Sequence, residues 1–140
     1  MKVLNLYAGI GGNRKLWTGC DVTAVEWDKA TAEVYQDYFP NDKVIVENAH
    51  EYLLNNYKEY DFIWSSPPCP THSRIRYCSG KGGEYDIVYP SMNLYQEIIL
   101  LKYFTPKNTK WVVENVKPYY TALIPPDNQI HRHYYWCNLE

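Results

Sequence analysis

Short β-branched runs alternate with stretches of helical spacing along almost the whole chain, and this alternation constrains the fold more than any other feature. The β-rich runs are 2–7, 21–26, 43–46, 60–65 and 110–113, and the intervening helical stretches are 13–18, 28–38, 49–57 and 91–104. In 28–38 the spacing of Ala32, Val34, Tyr35 and Tyr38 is helical, and Pro40-Asn41-Asp42 stops the element. Strands separated by helices cannot close as tight hairpins and return parallel to one another. The predicted fold is therefore α/β, a doubly wound, mostly parallel sheet. A final β-rich segment, 131–139, follows the turn Pro125-Pro126-Asp127-Asn128. Residues 66–90 contain Gly80, Gly82 and Gly83 and read as a long loop, a kind of segment that in compact domains is usually functional.

Ligands of open α/β sheets collect beyond the carboxyl ends of the strands. Five features fall there: "AGIGG", Glu26, Asn48, "SSPPC" and "ENV". Gly9, Gly11 and Gly12 allow a tight turn and close backbone approach to a ligand. Glu26, ending the next strand, is placed to accept hydrogen bonds from a ribose diol, with Trp27 beside it to stack on an adenine; the plainer alternative is a solvated strand end and a core indole. Together they point to an adenosine-containing cofactor, a nicotinamide dinucleotide or S-adenosylmethionine. Asn48 reads either as a reader of the adenine edge or as the N-cap of the helix from Ala49.

The stretch "SSPPCPTHS" frames Cys69 with Pro67, Pro68 and Pro70. Proline fixes φ and removes backbone donors, so the thiol is presented rigidly at a strand end, as a nucleophile needs. A cationic neighbour favours the thiolate, and His72, Arg74 and Arg76 are the candidates. Glu114 and Asn115 in "WVVENV" sit just past the fifth run, where a carboxylate can act as an acid or bond a ring nitrogen. Arg132, among the aromatics of "HRHYYW", is a candidate for a carbonyl oxygen of a bound base, or for an ion pair tethering the last strands.

The bulk numbers narrow the class. A chain of 140 residues with 46% apolar and 21% charged residues makes one soluble globular domain. Its 15 Tyr and 5 Trp serve mainly as half-buried filler, with stacking on bases as the other use. A net charge of −2 lacks the electrostatic footprint of a strong nucleic-acid binder. No apolar run approaches the roughly 20 residues of a membrane span, and the first residues enter a strand rather than a signal peptide. Cys20, Cys69, Cys78 and Cys137 form no C-x-x-C pair, so neither a metal site nor a disulfide scaffold is expected. Free thiols fit a reducing, cytoplasmic setting.

In this order the residues resemble the catalytic domain of the DNA (cytosine-5) methyltransferase family, over nearly the whole chain. "LYAGIGGNRKLW" resembles the family's first motif, Glu26 with Trp27 its second, "PPC" its fourth, "ENV" its sixth and the region of Arg132 its eighth. Tyr7 stands where Phe is usual, Pro70 where Gln is usual and His72 where Phe is usual. The resemblance implies S-adenosylmethionine at Tyr7, Ala8, Gly9, Gly11, Gly12, Glu26, Trp27 and Pro68, with Asn48 where the family has an adenine-binding Asp. It implies that Cys69 attacks C6 of a cytosine, that Glu114 bonds N3 and the exocyclic amine, and that Arg132 bonds O2, with Ser73 and Asn115 near the substrate. A cytosine in a duplex must first be flipped out of the stack.

The expected organisation is a single catalytic domain, 1–140, without a target-recognition domain, so that a partner chain or a homo-oligomer supplies the recognition surface. Such compactness suggests a phage or mobile-element source and a bacterial cytoplasm. The expected substrate is cytosine in DNA, with RNA cytosine as a variant. Two other readings use the same fold: a cofactor- or DNA-binding subunit without turnover, and a nicotinamide-dependent oxidoreductase, which gives Cys69 and Glu114 no role.

Overall fold

The computed structural model describes residues 1–74 and 88–140. Among the described residues seven strands form one sheet: β1 (Lys2–Leu6), β2 (Asp21–Glu26), β3 (Lys43–Val46), β4 (Phe62–Ser65), β5 (Lys110–Val116), β6 (Asn128–Ile130) and β7 (His133–Cys137). Their order is β3-β2-β1-β4-β5-β7-β6. Strands β1 to β5 are parallel, and β7 runs antiparallel against β5 and β6. In β1 every residue after Lys2 is buried, as for a central strand covered on both faces. The helices α1 (Lys29–Tyr38), α2 (Ala49–Asn56) and α3 (Asn93–Phe104) supply that cover. Leu53 of α2 and Leu94, Ile98 and Leu101 of α3 pack with Leu4, Leu6, Ile63 and Trp136, whereas Tyr35 of α1 packs with Ala8 and Ala24 in a separate cluster. The sheet is thus doubly wound, as the alternation predicts.

Both α1 and α2 begin on side-chain caps. Asp28 Oδ2 accepts the Thr31 N–H at 2.9 Å, and Asn48 Oδ1 accepts the Glu51 N–H at 3.1 Å.

Two elements differ from expectation. Only Asn13–Leu16 of the helix expected over 13–18 forms, as a 3₁₀ turn. Trp17 is already extended, and its ring packs against Phe62 and Trp64, drawing the chain back to the sheet. β5 runs to Val116, so Glu114 and Asn115 lie within the strand rather than past it. The cause is β7, which pairs with Val112 through Val116 and prolongs the ladder. The β-rich segment at 131–139 becomes the second arm of a hairpin whose turn holds His131 at φ +53°. Arg76, Cys78, Gly80, Gly82 and Gly83 lie outside the described residues.

Candidate active site

The strand order reverses between β1 and β4, the switch point at which such sheets bind ligands. The glycine turn leaves β1 there. The backbone takes positive φ at Tyr7 (+56°), Gly9 (+56°) and Gly11 (+86°). The Ala8 N–H donates to the Val25 carbonyl at 3.1 Å and the Gly11 N–H to the Ala8 carbonyl at 3.0 Å. A Cβ on Gly11 would come within 2.4 Å of the Phe39 ring, so this position admits no side chain. At Gly9 the same construction meets nothing, and at Gly12, which opens the 3₁₀ turn, it also meets nothing.

Glu26 clasps this turn from the end of β2. Its Oε2 accepts the Gly9 N–H at 2.8 Å, and its Oε1 accepts the Asp28 N–H at 3.1 Å. Each oxygen keeps a second lone pair for a hydroxyl. Trp27 is 73% exposed, its ring uncovered by protein. Tyr7, Glu26, Trp27, Asn48, Pro68 and His72 are among the residues lining a cavity of about 720 Å³. That volume suits a small-molecule ligand of cofactor size. The open face of Gly9, the fixed carboxylate and the bare indole fit an adenosine-bearing ligand. Asn48 caps α2 through its Oδ1 and also lines the cavity. A smaller hollow of about 380 Å³ lies among Lys102, Trp111 and Trp136, towards the opposite end of the parallel strands, and meets none of these groups.

Next to β1, β4 ends in the thiol loop. Pro67 is buried and its carbonyl accepts the Asn115 Nδ2 donor at 3.0 Å. The Cys69 carbonyl accepts the N–H groups of His72 at 2.9 Å and Ser73 at 3.0 Å, closing a turn around the half-buried thiol. Ser73 also forms an isolated antiparallel bridge with Pro118. Thr71 Oγ1 accepts the Ser91 N–H at 3.0 Å, tying the loop to the approach of α3.

His72 departs from its expected part as a cation beside the thiol. It is 1% exposed, and burial pushes its pKa below the usual histidine range, favouring the neutral ring. Its Nδ1 pairs with the Tyr120 hydroxyl at 2.6 Å, and Tyr120 pairs with the Tyr95 hydroxyl at 2.8 Å. The ring stands edge-on to Tyr95 at 6.4 Å. It fills an aromatic place. Arg74 is exposed.

Glu114 faces the same region from β5. Its Oε2 accepts the Ser66 hydroxyl at 2.9 Å, and Ser66 in turn accepts the Trp64 indole N–H at 2.8 Å. Its Oε1 contacts His133 Nδ1. Arg132 is not beside it. Arg132 is exposed in the β6–β7 turn, where its carbonyl accepts the Lys117 N–H at 2.7 Å. Asn115, expected near substrate, is 3% exposed, with Nδ2 on Pro67 and Oδ1 accepting the Val116 N–H at 2.9 Å. Cys69, Glu114 and the glycine turn are thus brought to one end of the sheet, while Arg132 stands apart from Glu114.

Sequence reasoning passed over Glu97 and singled out His133 only as part of the Arg132 cluster. Glu97 is fully buried in α3 and accepts from Tyr7 Oη at 2.8 Å, Ser65 Oγ at 2.9 Å and His50 Nδ1 at 3.1 Å. Its signal was a carboxylate on the apolar stripe Leu94, Ile98, Leu101.

Among solved structures, a putative methyltransferase of Escherichia coli, yhhF, superposes with a TM-score of 0.61 at 16% identity, covering 97% of this chain and 73% of that one. A triple-mutant DNMT2 of Spodoptera frugiperda superposes with a TM-score of 0.53 at 24% identity, over 83% of this chain and 35% of that one. The fold is the Rossmann-like fold of S-adenosylmethionine-dependent methyltransferases. The sequence model of the C-5 cytosine-specific DNA methylases matches residues 1–122, and the chain belongs to that family, whose methyl donor is S-adenosylmethionine. Among curated relatives, the human tRNA (cytosine(38)-C(5))-methyltransferase is 28% identical over 125 residues, 84% of this chain and 30% of the relative. The enzyme of the same name from Spodoptera frugiperda is 34% identical over 80 residues, 52% of this chain and 24% of the relative. The chain spans less than a third of the length of either.

Proposed function

We propose that this chain transfers a methyl group to C5 of cytosine in a nucleic acid, with Cys69 as the nucleophile. The observation that carries the reading is the continuity of the site at Ser66. Ser66 lines the cavity that fits the cofactor, hydrogen-bonds Glu114 and stands three residues before Cys69. Cofactor cavity, thiol loop and carboxylate are therefore parts of one site, built on the neighbouring strands β1, β4 and β5.

When bound, S-adenosylmethionine supplies an electrophilic methyl group. Tyr7, Gly9, Glu26, Trp27, Asn48 and Pro68 would hold it, with Glu26 fixed by the Gly9 and Asp28 amides before any ligand arrives. Ala8, Gly11 and Gly12 shape the turn. Cys69, as thiolate, adds to C6 of the base; the ring electrons pass towards C5 and N3, and C5 becomes nucleophilic enough to take the methyl. Loss of the C5 proton then drives out the thiolate and restores the aromatic ring. Glu114 bonds N3 and the exocyclic amine and steadies the charge that builds there. Asn115 holds the Pro67 carbonyl and so the proline frame around the thiol. Arg132 or His133 bonds the base O2, and Ser73 lies along the nucleic-acid path.

The polymer has two readings. The tRNA-directed relatives favour RNA, and the family description favours DNA; the ring chemistry is the same. Incubation with labelled S-adenosylmethionine and, separately, tRNA, duplex DNA and single-stranded DNA decides it. Label is expected on one polymer, at cytosine C5, and none with Cys69→Ser. Cofactor binding without label on any polymer would instead mark a non-catalytic subunit.

A further inference from the structure

The Glu97 carboxylate has no exposed surface, yet three donors from three elements converge on it. Tyr7 comes from the end of β1, at the entry to the glycine turn. Ser65 ends β4, immediately before the thiol loop, and His50 lies in the first turn of α2. A buried carboxylate is costly unless hydrogen-bonded and paired, and here every partner is a donor. Hydrogen bonding to Glu97 raises the His50 pKa, and burial together with Glu97 raises that of the Tyr7 hydroxyl. These shifts favour the protonated forms of His50 and Tyr7, the forms that donate.

Tyr7 and His50 line the cavity, while Glu97 lies behind them and does not. Glu97 therefore acts through its neighbours. Tyr7 holds a positive φ that a bulky residue adopts only when its surroundings impose it. The phenolic bond to Glu97 is such an imposition.

We propose that Glu97 is a positioning residue that anchors both the cofactor turn and the thiol loop from one point, by holding Tyr7 and Ser65 on the two oxygens of a single carboxylate. The proposal takes the cavity as the cofactor site, but its first test needs no cofactor. Amide hydrogen exchange of the ligand-free protein reads the two loops separately: Gly9 and Gly11 for the turn, His72 and Ser73 for the thiol loop. Tyr7→Phe is expected to speed exchange about tenfold in the turn alone, and Ser65→Ala in the thiol loop alone, about 1.4 kcal/mol each. Glu97→Gln is expected to speed both, leaving Val22 to Val25 of β2 unchanged. The second readout is affinity for S-adenosylhomocysteine. Glu97→Gln is expected to weaken it about tenfold, while Leu101→Ala, a core change on the same helix, leaves it unaltered at equal loss of stability. Uniform acceleration across the sheet, or both loops loosened alike by each of Tyr7→Phe and Ser65→Ala, would overturn the proposal. If Glu97→Gln does not fold, the two single variants still decide it. Failure to methylate any cytosine would leave these results standing, so the two readings fail separately.

Discussion

His133 places its Nδ1 on Glu114 Oε1, one residue along the chain from Arg132, to which the resemblance to the cytosine-5 methyltransferases gives the O2 of the base. The antiparallel pairing sets this. Val116 is opposite His133 and Glu114 opposite Tyr135, so His133 and Glu114 are diagonal neighbours on one face of the sheet, and Arg132 falls in the turn. His133→Ala is therefore expected to slow covalent capture of a 5-fluorocytosine oligonucleotide by about a hundredfold, the lower end of the range for a lost donor to developing charge. Arg132→Ala is expected to change capture less. Gel-shift rates for the two variants, at equal cofactor affinity, check the ranking.

Cys69→Ser is expected to abolish the covalent complex while leaving S-adenosylmethionine affinity unchanged. Cys69 is not among the residues lining the cavity, so its loss should spare the ligand. Intact-mass spectrometry and calorimetry on the same variant measure the two halves.

Gly9 and Gly11 are expected to part company. Gly11→Ala drives a Cβ into the Phe39 ring at a left-handed backbone position and should cost about 2–4 kcal/mol of stability. Gly9→Ala meets no clash, so its cost is the backbone term alone, about 1–2 kcal/mol. Its methyl should instead weaken the cofactor. Thermal denaturation separates the two glycines by stability, and cofactor titration separates them in the reverse order.

Stability should fall on both sides of about pH 6.5, the ordinary histidine value. His50 is raised by its bond to Glu97, so its contribution is complete below that pH and is lost as pH rises through its folded value. His72 is lowered by burial, so its contribution is complete above that pH and is lost as pH falls towards its folded value. His50→Gln should flatten the alkaline limb. His72→Phe, which keeps the packing against Tyr95 and Tyr120, should flatten the acid limb in a series of melting curves.

The strands from β1 to β5 were legible because each is a compact apolar run, and the doubly wound order follows from the helices between them. The helix expected after the glycine turn was misread because its spacing continues to Thr18, whereas Trp17 is drawn off to Phe62 and Trp64. That attraction joins residues far apart in the chain and leaves no local trace. Cys69, the glycine turn, Glu26 and Glu114 stood out in the sequence by residue type, and the fold brings them to one end of the sheet, although Glu114 lies inside β5 rather than past it. Asn115 looked equally like a site residue, but its burial and its bond to Pro67 belong to tertiary structure. His133 depended on hairpin register, which one residue of slip would reverse.

Glu26 has a consequence for the part of a ligand that the turn can take. Its carboxylate is aimed at the turn by Gly9 and Asp28, and the 3₁₀ turn that follows is only four residues long. A phosphate brought there would meet a fixed negative charge, with no long helix dipole to offset it. Dinucleotide folds place an acid at the same strand end against a ribose, so the carboxylate alone excludes no adenosine. It is the shortness of the turn, which offers a phosphate little dipole, that suits an adenosine carrying a positively charged sulfur.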